Sequence, residues 1–238
     1  MKAMKNNLIV PAALVAVGLL ALGLCLRSGI ESIVNRDRVV AVKGLAEREV
    51  KADKVTWSIT TKETGNDLKG LYATVNQKTD IIEKFLKDNG LTAEEISRNA
   101  PKVQDYIAEG SYSQDAKFRY ALTSNITVVS THVDTVRALI ARQGELLDQG
   151  IAITGENNWE NPVVYDFTGF QDIKEEMMAE AIANAEKTAQ QFAKNSKSKL
   201  NKIITADQGQ FDITDRDSNT PYIKNVRGVT TITYSLKN

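Results

Sequence analysis

The stretch VVAVKGLAEREVKADKVTWSITTKETGND, Val39–Asp67, decides the fold. Val39, Val40 and Val42 read as a first strand broken by Gly44. Further on, Val55, Trp57 and Ile59 alternate with Thr56, Ser58 and Thr60, the period-two pattern of a strand buried on one face. From Asp67 the period lengthens. Leu68, Leu71, Val75, Ile82 and Leu86 fall on one face of a helix, and Asn89-Gly90 supplies its stop. Two strands followed by a helix lying on them predict an α+β fold.

The same alternation of periods continues downstream. Thr92 stands three residues before Glu95, the spacing of a capping box, which predicts a short helical turn. Pro101–Ile107 and Phe118–Val129 read as a hairpin around a polar loop containing Gly110. HVDTVRALIARQGELLDQG, from His132 to Gly150, predicts a second amphipathic helix with Val133, Val136, Ile140 and Leu147 on one side. Short strands are expected at Ile151–Gly155 and Val163–Phe167. The third and longest helix is expected over Ile173–Lys194, with a narrow seam of Met177, Ala181, Ala185, Ala189 and Phe192. NKIITADQ and GVTTITYSLK then close the chain as strands, the second setting Thr230, Ile232, Tyr234 and Leu236 against Val229, Thr231, Thr233 and Ser235. The expected fold is α+β, with antiparallel or mixed sheets packed with three amphipathic helices and preceded by one N-terminal transmembrane helix.

That last expectation comes from Leu8–Leu26, LIVPAALVAVGLLALGLCL, which carries no charge. As a helix rising ~1.5 Å per residue it matches the hydrocarbon core of a bilayer. Lys2 and Lys5 precede it, so the positive-inside tendency leaves residues 1–7 in the cytoplasm, 8–26 as anchor or signal segment, 27–38 as tether and 39–238 as a periplasmic domain held at the inner membrane. The alternative is secretion to the periplasm after signal cleavage at Ala21–Gly23. However, the apolar run exceeds the ~7–15 residues of an ordinary signal core. Cys25 is preceded by Leu24 rather than by the small residue a lipoprotein signal expects, and reads as a thiol buried in the membrane.

The whole chain of 238 residues has 30 basic and 30 acidic side chains, a balance that offers no overall field to nucleic acid. One cysteine allows neither an internal disulfide nor a thiolate cage.

Val39–Asp67, then LKDNGLTAEEIS, YALTSNITVVSTHVDTV, KEEMMAEAIANAEKTAQQFAKNSKSKL and NKIITADQG, taken in this order and spacing over about Val39–Lys237, resemble the SIMPL domain (DUF541), found largely in bacterial envelope proteins. The family often has a second glycine and a Pro-Asp pair in the first block, where this chain has Ala46 and Ala52-Asp53. The resemblance implies an α+β domain in the cell envelope with no accepted catalytic residues, so no catalytic, cofactor or metal site is assigned and no cofactor is expected.

His132, the sole histidine, begins the second helix close to Asp134, and no nucleophile elbow or P-loop accompanies it; it reads as a helix start facing water. GENNWENPVVYDF gathers Trp159, Tyr165 and Phe167 with Glu156, Glu160 and Asp166, a mixture suited to a sugar groove or to paired-carboxylate chemistry. The ordinary reading, a loop packing one aromatic onto the core with its acids in water, is preferred. Tyr106, Tyr112, Phe118 and Tyr120 on the hairpin read as cross-strand aromatic pairs. Lys187, Lys194, Lys197 and Lys199 read as a solvated helix end.

The leading expectation is a non-catalytic envelope binding or assembly module. Its expected partners are an envelope protein or glycan, the membrane through the N-terminal helix, and no nucleic acid. Self-association is expected through the free edge of RVVAV, Arg38–Val42, or through helix faces. The alternatives are an envelope hydrolase using the acids near 156–166, and a subunit of a ring or channel.

Overall fold

The computed structural model describes residues 9–34, 38–110, 117–154 and 163–237. Its elements are α1 (Ile9–Val34), β1 (Val39–Lys51), β2 (Lys54–Gly65), α2 (Leu68–Asp88), a 3-10 turn (Ala93–Glu95), β3 (Ile96–Arg98), β4 (Lys102–Asp105), β5 (Tyr120–Ser130), α3 (Val133–Ala141), α4 (Gly144–Asp148), β6 (Ile153–Thr154), β7 (Val164–Asp166), α5 (Phe170–Asn195), β8 (Lys199–Asp215) and β9 (Ile223–Lys237). The fold is α+β. By packing, the chain forms two units: residues 48–172 with 213–226, and residues 1–47 with 173–212 and 227–238.

In the first unit β2 and β5 are the spine, antiparallel from Val55 opposite Ser130 to Gly65 opposite Tyr120. β3 and β4 pair with the far side of β5, and β6 and β7 with the far side of β2. This register puts Trp57 opposite Val128 and Ile59 opposite Ile126 on one face, where all four are buried with Ile82, Phe85 and Leu86 of α2. Each such side chain contributes about 1.5–3 kcal/mol by leaving water. Asp67 caps α2 through Lys69 N–H at 3.1 Å, and Gly90, at φ 97°, ends it in the left-handed conformation.

Two expectations about helices are corrected here. The second helix is two helices. At Arg142 the backbone N–H is shared among the carbonyls of Ala138, Leu139 and Ile140, and the chain restarts at Gly144. The restart changes the phase, so Leu139 and Leu146 are buried while Leu147 is exposed. With α1 the described helices number five rather than four.

In the second unit the sheet order is β1-β9-β8, with α5 packed on β1 and β9. Gly44 does not break β1; the strand runs through it to Lys51. A Cβ at Gly44 would overlap the Ala181 carbonyl oxygen and come within 2.8 Å of the Ala185 Cβ. The glycine is what lets helix and strand approach so closely. The seam is Met177, Ala181, Ala185, Ala189 and Ala193, all buried, whereas Phe192 is 59% exposed. A gap this narrow admits alanine and turns phenylalanine outward. On β9 the buried set is Thr230, Ile232, Tyr234 and Leu236, as the alternation predicts.

α1 presents exposed side chains from Pro11 to Arg27, Leu14, Leu20 and Leu24 among them. Among the described residues no helix is long and apolar enough to cross a membrane, so the expected crossing rests on the sequence of Leu8–Leu26.

Candidate functional site: an open polar face on the central sheet

The pleat that sends Trp57 and Ile59 into the core sends Ser58, Thr60 and Lys62 the other way. The register sets them opposite Thr127, Asn125 and Thr123 of β5. On the outer side of β5 the chain leaves β3 at Arg98 and rejoins the sheet at Lys102, and Lys102 pairs opposite Thr123. Asn99, Ala100 and Lys102 form a rim. The result is a groove of about 540 Å³ lined by Ser58, Thr60, Asn99, Lys102, Thr123, Asn125 and Thr127 together with Ala100.

Asn125 organises the floor. Its Nδ2 donates to Ser58 Oγ at 2.5 Å and Thr60 Oγ1 at 2.9 Å, and its Oδ1 accepts from Asn99 Nδ2 at 2.8 Å and Thr127 Oγ1 at 3.1 Å. Asn99 is held in turn by its backbone N–H on the Asn125 carbonyl at 3.0 Å. The side-chain amide of Asn125 therefore uses both donors and both acceptor positions. Because Ser58 accepts from Asn125, its own hydroxyl proton is not spent on that amide. Lys62 and Lys102 flank Thr123 on the two neighbouring strands, and neither forms an ion pair among the described residues. The face thus offers a hydrogen-bonded floor of hydroxyls around Asn125, with Lys102 on its rim and Lys62 across Thr123 from it. Among the described residues no aromatic ring lines it.

The residues singled out from sequence fall elsewhere. His132 precedes α3 with its side chain 65% exposed, as expected, and its Nδ1 lies 3.2 Å from Glu95 Oε1. The same Glu95 oxygen accepts from Ser130 Oγ at 2.5 Å, while Thr92 N–H and Oγ1 reach its other oxygen at 2.8 and 3.0 Å. Serine, histidine and carboxylate meet here in the wrong order for nucleophile activation, since the acid and not the imidazole holds the serine. Those bonds, Ser130 foremost, pull the Glu95 carboxyl down to about 2, so it is no proton acceptor near neutrality.

Asp166 lies in β7 opposite Lys54, and its carbonyl accepts from Asp53 N–H at 3.0 Å. Tyr165 is buried, edge-on to Tyr222 at 6.2 Å, and burial pushes its hydroxyl pKa up. Glu156, Trp159, Glu160 and Tyr112 lie outside the described residues. On the hairpin, Tyr120 packs beside Leu71, Val75 and Leu122, and cations cover the rings: Arg119 over Tyr120 at 4.8 Å and Lys117 over Phe118 at 5.5 Å. Lys187, Lys194, Lys197 and Lys199 are exposed, as is Cys25 on α1. Among the described residues no three or more histidine, cysteine or acidic side chains converge as metal ligands would.

Asp53 was noticed in the sequence only as a departure from the family pattern. Partial burial works to raise its pKa, yet bonds from Thr168 N–H at 2.7 Å and Gly169 N–H at 2.8 Å hold it below the ordinary carboxylate range. It secures the backbone just ahead of α5.

Sheet, helices and groove define the chain as an α+β protein with a buried helical face and an open, hydrogen-bonding face on its central sheet. Residues 40–231 match the SIMPL family, described as a protein of unknown function (DUF541), and the chain belongs to that family. No curated protein matches the chain.

Proposed function

We propose that this SIMPL protein is a non-catalytic binding module of the cell envelope. In this reading α1 holds it at the inner membrane, the domain from Val39 onward lies in the periplasm, and the groove between β2, β5 and the β3–β4 rim takes an acidic, hydroxyl-rich glycan. The observation that carries the reading is the chemistry of the groove. Pre-oriented hydroxyl and amide groups match the hydroxyls of a saccharide, and Lys62 and Lys102 suit a carboxylate on the same molecule. With no ring among the described lining residues, affinity in this reading comes from hydrogen bonds of about 1 kcal/mol each, which predicts modest binding.

The membrane part rests on the uncharged run Leu8–Leu26 and the lysines before it, and the exposed leucines of α1 would then lie against lipid. External protease applied to spheroplasts of the native host is expected to digest the domain; a fully protected domain would reverse the topology.

Calorimetric titration of the full chain in detergent with a uronic-acid oligosaccharide tests the groove. Saturable binding is expected. Lys102→Ala, which removes a cation from the rim, and Asn125→Ala, which frees the Ser58 and Thr60 hydroxyls and the Asn99 amide from their fixed places, should each weaken it by about fivefold or more. Binding unchanged in both variants would refute the assignment.

A further inference from the structure

We infer that β8 is the contact through which two copies of this chain pair, antiparallel, about a two-fold axis at Asp207. The inference is independent of the groove, and it moves the expected self-association from β1 to the opposite edge of the same sheet.

β8 runs 17 residues, Lys199–Asp215, and stands at the end of the order β1-β9-β8, so its outer backbone groups have no strand partner among the described residues. Natural edges of this kind are shortened, charged, bulged, interrupted by proline or covered. β8 is long, contains no proline, and is exposed along nearly its whole length, with Ile203 and Ile204 at 55% and 50%. Such an edge is a template for another strand.

The charges say which strand. Lys202 lies five positions before Asp207 and Asp212 five positions after it. Pairing β8 with itself about Asp207 therefore sets Lys202 of each copy opposite Asp212 of the other, and Ile203 opposite Phe211. Two-fold symmetry makes each of these pairs twice. Neither Lys202 nor Asp212 forms an ion pair within the described chain. A parallel arrangement in register would instead stack lysine on lysine and aspartate on aspartate. The antiparallel pairing makes one like-charge contact, Asp207 facing its own copy, and Asp207→Asn should tighten the dimer.

Sedimentation velocity of the full chain in detergent, over a range of concentrations, tests this. A concentration-dependent dimer is expected for the native chain. Lys202→Glu alone and Asp212→Lys alone each turn two attractions into two repulsions and should raise the dissociation constant by about tenfold or more. The double variant Lys202→Glu with Asp212→Lys restores opposite charges across the same axis and should dimerise about as well as the native chain. Both substituted positions are exposed, and circular dichroism checks that each variant is folded. A native chain that stays monomeric, single variants that dimerise like it, or a double variant as weak as the singles would each overturn the pairing. Association through α1 would leave all the variants alike and would overturn it too.

Discussion

Glu95 gathers four hydrogen bonds on one half-buried carboxylate. Ser130, Thr92 and His132 all point at one carboxylate and bring its pKa to about 2 from an ordinary 4.5. A folded pKa below the unfolded one means stability that is present above about pH 4.5 and lost as the pH falls toward 2. Glu95→Gln keeps the shape and removes the charge, and should cost about 2 kcal/mol at pH 7, the scale of hydrogen bonds to a charged group. The difference between native and variant chains should narrow steadily toward pH 2. Urea unfolding at pH 7 and pH 3 checks it, and a gap of the same size at both would contradict the assignment. His132 is a partner here and not a base: His132→Ala is expected to leave ligand binding intact.

Gly44 shows what an element needs beyond its pattern. The strand β1 was legible in Val39, Val40 and Val42, but its passage through Gly44 was not, because glycine marks a break in isolation and a close approach only once Ala181 and Ala185 face it. Gly44→Val should destabilise the protein by about 2–3 kcal/mol, the usual penalty of overpacking, and thermal unfolding would register it; an unchanged midpoint would mean that α5 does not press on β1 as described. β2, β5 and α2 could be read from sequence because each buries one face, which writes a period into the chain. β8 buries neither face, so it writes none, and only its first half was visible as NKIITADQ. The groove was half legible. Thr56, Ser58 and Thr60 are outward hydroxyls on β2, as Thr123 and Thr127 are on β5. What joins Asn125 to Ser58 is a register between residues 67 apart, which no local pattern carries. A search for neighbouring strands with runs of outward Ser, Thr and Asn would have found the face.

For the molecule as a whole, one buried sheet face supplies stability, the opposite face of the same sheet supplies the proposed binding surface, and the apolar N-terminal helix supplies the proposed attachment. Membrane attachment would also hold copies in one plane and raise their effective concentration, which favours the pairing of β8 edges. Ligand binding at the β2–β5 face is the claim on which this account depends most. It is tested most directly by recording side-chain amide resonances of the ¹⁵N-labelled full chain during titration with a uronic-acid oligosaccharide. The account predicts that the Asn125 and Asn99 side-chain amides shift first and saturably, together with the backbone amides of Ser58, Thr60 and Thr123, and that the response is lost in Asn125→Ala. Shifts confined to other regions, or none at saturating ligand, would contradict it.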